Sequence, residues 1–214
     1  MTSIDEQRSS ASSLADALRC LTQAMVATEV SPVVMAGVEA SVRELTTILR
    51  SETRAAGLAS AMDDFKASNR AHNPVRGYAH PSSIQMVVEP RQGRSPATTL
   101  RFELGIEHEG HVGIAHGGIT AMLFDEVFGI AATRQAWPSV TRDLTIEYRR
   151  PVLTCVPLVL HADVSRSVDR TAHVEGSLFN ATEPEVTLVR GRATFIQLNA
   201  HQASRVLPGH RRSH

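Results

Sequence analysis

The sequence predicts an α+β fold, a curved antiparallel sheet wrapped around one long central helix and preceded by a helical extension. Three observations carry this. After Ser83 apolar residues recur with period two in six separate runs, the mark of strands. One run, from about Gly117 to Gln135, is apolar nearly all round and reads as a helix buried on most sides. Before Met62 the spacing is helical instead.

The N-terminal region, residues 1–62, is expected to form a helical hairpin. Leu14, Leu18, Leu21 and Met25 fall on one stripe, and Val34, Val38, Val42, Leu45 and Leu49 form another. Between them Ser31 reads as an N-cap, with Pro32 at the first helical position, where its missing N–H does no harm. One apolar stripe per helix predicts that the hairpin docks on another surface. Residues 63–82 are irregular: "NRAHNPVRGYAHPSS" holds two prolines and a glycine and reads as a linker or an ordered surface loop. Residues 83–200 form the main domain, and 201–214 are expected to be a disordered polar tail.

In the main domain "SIQMVVEP" and "ATTLRFELGI" precede the central helix. "SVTRDLTIEYRRP", "PLVLHADVSRS", "RTAHVEGSLFN" and "EVTLVRGRATFIQL" follow it. Leu158, Leu160, Ala162 and Val164 alternate with His161, Asp163 and Ser165, which gives one dry face and one wet one. The connection from Val168 to Thr171, with Asp169-Arg170 at its centre, is short enough for a hairpin. Gly191 predicts close backbone packing or a bulge. The order strand, strand, long helix, four strands is the hotdog arrangement.

Bulk properties exclude several function classes. A chain of 214 residues suffices for one core plus an appendage. Basic and acidic side chains balance at 22 each, so no global field draws the protein to nucleic acid or a membrane. No run approaches the ~18 apolar residues of a membrane span. "MTSIDEQRSSASS" lacks the basic and apolar regions of a secretory leader. Cys20 and Cys155 have no metal-like spacing and read as reduced thiols of a cytoplasmic protein. His108, His111 and His116 lie in a glycine-broken loop without a matching acid cluster, so no metal site is expected.

Two features of the central helix are anomalous. Asp125 and Glu126 are its only acids. Glu126 points about 100° away from Asp125 and is the one of the two expected to lie nearer solvent. Asp125 has Ala121, Met122, Phe128 and Gly129 as helical neighbours and is expected to be a buried site residue. The alternative is that it pairs with an arginine or caps a loop as part of the packing. His116-Gly117-Gly118 opens the helix, where first-turn N–H groups lack intrahelical partners and the dipole is positive. Glycine there lets an oxyanion approach the backbone, although a tight turn with a hydrogen-bonded histidine is equally compatible. Gly118 and Asp125 are separated by about 10 Å along a helix axis, too far for one carbonyl and its attacking water. If both serve one reaction centre, they come from two antiparallel copies. The expectation is a homodimer with composite sites, a tetramer being the other open assembly.

"GIAHGGITAMLFDEVFG" followed by "TRDLTIEYRRPV" resembles the hotdog-fold acyl-CoA thioesterases. The resemblance is to the groups of phenylacetic acid degradation thioesterases and mitochondrial thioesterase-superfamily-member enzymes. The shared pattern is His116-Gly117-Gly118, an acid nine residues after the histidine (Asp125), a hydroxyl residue sixteen further on (Thr141), then Tyr148-Arg149-Arg150-Pro151. It covers about Ser83 to Leu198.

The resemblance implies hydrolysis of an acyl-CoA to a free carboxylic acid and CoA. Backbone N–H at Gly117 or Gly118 would polarise the carbonyl, and His116 would help position it. Asp125 would serve as general base or as nucleophile, and Thr141 would orient the water or the acid. On a regular strand Thr141 faces with Asp143 and Thr145, opposite Leu144 and Ile146, so it must sit at a strand end or a bulge. Arg149 and Arg150 would lie near the CoA phosphates, with Arg166, Arg190 and Arg192 as weaker candidates. Phe124, Phe128 and Trp137 are candidates to shorten the acyl pocket. No cofactor is expected, coenzyme A being part of the substrate. Two other functions stay open, a non-catalytic acyl-CoA sensor and an enoyl-CoA hydratase or dehydratase. The latter usually pairs its histidine and acid in a different motif. The sensor needs an output module, and the N-terminal helices lack a helix-turn-helix pattern or a basic recognition face.

Overall fold

The computed structural model describes residues 3–63, 70–89, 97–135 and 138–206. Helix α1 (Ile4–Ala27) starts at a capping box. Ser3 Oγ accepts the Glu6 N–H at 3.1 Å, and Glu6 Oε2 accepts the Ser3 N–H at 2.7 Å. Helix α2 (Pro32–Arg50) begins as its sequence predicts, with Ser31 capping the Val34 N–H and Pro32 in the first turn.

The two helices do not form a hairpin: among the described residues they do not lie along one another. Instead α1 sits against the main domain on a mostly polar line of residues. Ala15 is buried there, and Arg19 Nη1 donates to the His80 carbonyl at 2.8 Å and to Ser83 Oγ at 3.1 Å. Gln23 Nε2 donates to Glu107 Oε1 at 2.9 Å. These residues are spaced four apart, one helical face. That face is not the leucine stripe, and Leu14, Leu21 and Met25 stay exposed. Helix α2 buries no residue at all.

Of the two readings of the segment before the first strand, the ordered loop holds and the linker does not. Ala71, Val75, Ala79 and Ile84 are buried. Asn73 Oδ1 accepts the N–H groups of Val75 at 2.7 Å and Arg76 at 3.1 Å, a turn in which an Asn side chain mimics backbone. Residues 64–69 of the predicted linker lie outside the described residues.

The main domain then runs β1 (Met86–Val88), β2 (Thr98–Glu103), a single 3-10 turn (Ile106–His108), β3 (Glu109–His111), β4 (Ile114–Ala115), α3 (Gly117–Gln135), β5 (Ser139–Tyr148), β6 (Pro157–Val168), β7 (Thr171–Asn180) and β8 (Thr187–Gln197). β3 and β4 form a small ribbon. The others make one antiparallel sheet in the order β1-β2-β6-β7-β8-β5. The predicted hairpin joins β6 to β7, with Val168 opposite Thr171 and Asp169 left-handed at φ 52°.

Helix α3 packs into the sheet through Leu123, Phe124, Val127, Phe128 and Ala131, none of which retains exposed surface. The Phe124 and Phe128 rings meet edge-on, with centroids 5.4 Å apart. Beneath them Gly176 and Gly191 face each other across β7 and β8. A Cβ on Gly176 would come within 2.6 Å of Phe128 Cε1, and one on Gly191 would strike Phe124. The close packing predicted at Gly191 is therefore the flat bed for both rings. Burying a phenylalanine side chain contributes about 1.5–3 kcal/mol, so these two anchor the helix on the sheet.

Part of the expected tail is ordered. Residues Ala200–Val206 form α4, where Asn199 Oδ1 accepts the Gln202 N–H at 2.8 Å and Ala203 is buried. Residues 207–214 lie outside the described residues.

Candidate active site

The start of α3 is held by three polar contacts. The His116 N–H donates to the His108 carbonyl at 2.8 Å. His116 Nδ1 accepts the Gly118 N–H at 3.0 Å, so the neutral ring carries its proton on Nε2. The Tyr148 hydroxyl, at the end of β5, donates to the Gly117 carbonyl at 2.6 Å. Burial holds the Tyr148 phenol above its ordinary pKa, so it stays a proton donor across the neutral range. A Cβ at Gly117 would lie 3.2 Å from the Tyr148 oxygen, which is why glycine suits that position.

This arrangement separates the two glycines. The Gly118 N–H is occupied by His116. The Gly117 N–H has no hydrogen-bond partner among the described residues and stands at the positive end of the helix dipole. Gly117 lines a groove of about 410 Å³, together with Ile114, Thr120, Arg149, Arg150 and Val152, among others. The walls are largely apolar and two arginines stand at the rim. Arg149 is engaged, its Nε and Nη2 each 3.1 Å from an oxygen of the Glu147 carboxylate. The Arg150 side chain makes no hydrogen bond or ion pair among the described residues, which leaves its charge available.

Asp125 lies two turns further along α3 and is half-buried. Thr141 Oγ1 donates to its Oδ1 at 2.8 Å. Thr141 reaches the helix because the β5–β8 register slips there: Thr141 opposes Phe195 and Asp143 opposes Thr194, leaving Arg142 extra. The bulge that the alternation demanded is present. The same slip turns Asp143 toward β8. Hydrogen bonds from Arg142 Nε at 3.0 Å and Thr194 Oγ1 at 2.9 Å hold its carboxyl below the usual carboxylate range.

Glu126 does not reach open solvent as expected. Its carboxylate pairs with Arg76 Nε and accepts from Asn73 Nδ2 at 3.0 Å, leaving the side chain 15% exposed. The reason is the 70–85 segment, which folds onto this face of the helix.

The structure therefore brings together two groups of predicted residues. One is Asp125 with Thr141. The other is His116, Gly117 and Gly118, with Arg149 and Arg150 across the groove. It does not bring these groups to each other within one chain: Asp125 and Thr141 do not line the groove, and Gly117 lies about 12 Å from Asp125 along the axis. Phe124 and Phe128 do not line the groove either and fill the core. Arg166, Arg190 and Arg192 are exposed away from the groove, and Trp137 lies outside the described residues. Sequence reasoning gave no role to Tyr148, Thr120, Asn73 or Arg76; only Tyr148 stood inside a recognised pattern. Among the described residues no three His, Cys, Asp or Glu side chains cluster to hold a metal, and no helix is long and apolar enough to cross a membrane.

Residues 112–187 match the family model described as Thioesterase superfamily. The crystal structure of a thioesterase superfamily protein superposes with a TM-score of 0.76 at 22% identity, covering 87% of this chain and 94% of that one. The PaaI protein of the E. coli phenylacetic acid degradation operon gives a TM-score of 0.49 at 18% identity, over 53% of this chain and 80% of its own. Thioesterase superfamily member 2 from Mus musculus gives 0.46 at 23% identity, over the same 53% and 80%. No curated protein sequence matches the chain.

Proposed function

We propose that this chain, a hotdog-fold protein with a thioesterase-superfamily segment, hydrolyses an acyl-CoA thioester to a free carboxylic acid and CoA. The observation that carries the reading is the hydrogen bond from Thr141 to Asp125 across a β-bulge. A neutral hydroxyl occupies one carboxylate oxygen and leaves the other as an acceptor. Asp125 is thus oriented without being neutralised, as a general base requires.

In the proposed reaction the free Asp125 oxygen takes a proton from water as the water oxygen attacks the thioester carbonyl carbon. Negative charge develops on the carbonyl oxygen, which the Gly117 N–H and the α3 dipole stabilise. The C–S bond then breaks, and the proton held by Asp125 passes to the departing thiolate. The Arg150 guanidinium suits a phosphate at the groove rim.

The 12 Å between Gly117 and Asp125 argues that each reaction centre draws on two copies of α3. A homodimer with two composite sites is the simplest closed assembly. β5, which carries Thr141 and ends in Tyr148, is an edge strand paired on one side only among the described residues, so a second copy can add to it.

The test is a thiol-release assay over a panel of acyl-CoAs, comparing wild type with Asp125→Ala. Release by wild type and its loss in the variant is the expected result. Absence of cleavage, with tight acyl-CoA binding that survives the substitution, would replace the enzyme by a sensor.

A further inference from the structure

We propose that Thr120 supplies the second hydrogen-bond donor to the thioester carbonyl oxygen, acting beside the Gly117 N–H at the floor of the groove. This rests on the thioesterase reading above. Three observations converge on it. Thr120 lines the same groove as Gly117. It is only 1% exposed. Its Oγ1 is buried with no hydrogen-bond partner among the described residues.

A buried hydroxyl without a partner is unfavourable, and valine would fill the same volume without that penalty. The hydroxyl is also offered a local partner that it does not take. Threonine in a helix commonly bonds the carbonyl one turn back, which here is His116. That carbonyl instead accepts the backbone N–H groups of Ile119 at 3.0 Å and Thr120 at 3.2 Å.

Position supplies the rest. Helical side chains lean toward the N-terminus, so Thr120 covers the turn that begins at Gly117, three residues earlier on the same face. Threonine has two accessible rotamers in a helix, and exchange of Oγ1 with the methyl swings the hydroxyl between wall and groove. A developing oxyanion is best held by more than one donor. With the Gly118 N–H occupied by His116, the Thr120 O–H is the remaining donor on that face. No covalent step involves Thr120. Its proton stays on Oγ1 while the carbonyl oxygen gains and then loses negative charge.

The test uses full-length wild type, Thr120→Val and Thr120→Ser, with steady-state thiol release on the best acyl-CoA of the panel and thermal melts of each protein. Thr120→Val is expected to lower kcat by about 10²- to 10³-fold, as loss of one oxyanion donor does. KM should change little, and the unfolding midpoint should stay or rise because an unpaired hydroxyl has been removed. Thr120→Ser should recover most of the lost kcat. A Thr120→Val protein with wild-type kcat overturns the proposal while leaving the thioesterase reading intact. So does a kcat loss that serine shares in full. A wild type that cleaves no thioester overturns the reading and this inference together.

Discussion

The two acids in the middle of α3 are neighbours in sequence and opposites in circumstance. The face that carries Glu126 meets the 70–85 segment, where Arg76 and Asn73 occupy its carboxylate. The face that carries Asp125 meets the β5 bulge, where one threonine hydroxyl is the only side-chain partner among the described residues. Depth of burial does not separate them, since both are half-buried. The partner does. A carboxylate taken up by a guanidinium and an amide is a structural link, whereas one held by a single hydroxyl keeps an open lone pair.

Substitution of each acid tests that contrast, and the largest effect belongs to Asp125. Asp125→Asn keeps the shape and removes the proposed base, so kcat for thioester cleavage is expected to fall by about 10²- to 10⁴-fold with little change in stability. Glu126→Ala should do the reverse. It removes the carboxylate that ties Arg76 and Asn73 to α3 and is expected to lower unfolding free energy by about 1–3 kcal/mol in chemical denaturation, with kcat within a few-fold of wild type. An inactive but fully stable Glu126→Ala protein would collapse the distinction between the two faces.

Smaller perturbations sharpen it. Thr141→Val leaves Asp125 without its orienting donor, and a kcat loss of about tenfold is expected at unchanged unfolding midpoint. An unchanged kcat would show that the hydroxyl only packs. The smallest effect lies at the outer end of the 70–85 segment. Burial, then the neighbouring His72 and Arg19, hold the His80 ring below its ordinary pKa of 6.5. The unfolded chain therefore binds the proton more readily, so stability is full above the unfolded value and declines as pH falls through the folded one. Arg19 donates to the His80 carbonyl, so α1 is the element expected to loosen. Protection of the α1 amides, taken relative to their intrinsic exchange rates at each pH, should fall from about pH 7 to pH 5 in wild type and fall less in His80→Asn. Equal behaviour of the two proteins would remove His80 from the account.

What the sequence revealed of this molecule follows from the range of each interaction. The sheet strands and the all-apolar helix announce themselves through local periodicity, and α3 spans the very run that predicts it, Gly117–Gln135. Thr141 was legible through the resemblance, and its alternation, in conflict with a helix-facing role, required a strand end or a bulge, of which the bulge is present. The fate of Glu126 was not legible, because Asn73 and Arg76 lie about fifty residues away in a stretch whose prolines suggested a linker or a surface loop. The docking of α1 was hidden as well. It rests on Ala15, Arg19 and Gln23, and a polar seam leaves no mark on a hydrophobic pattern. The unpartnered Thr120 hydroxyl is a property of packing alone.

The central claim is that α3 gives its N-terminus to one reaction centre and Asp125 to another. Mixed dimers test it most directly. Gly117→Pro removes the N–H at the first helical position and crowds the Tyr148 hydroxyl that holds it, disabling the α3 N-terminus as a unit, and Asp125→Asn removes the proposed base. Each variant alone should be inactive in thiol release. Co-unfolded and refolded at equal ratio, they should recover about one quarter of wild-type activity, since half the dimers are mixed and each mixed dimer rebuilds one of two sites. Failure of the mixture to recover any activity, with mixed dimers shown to form, would place both functions within a single chain and contradict the account.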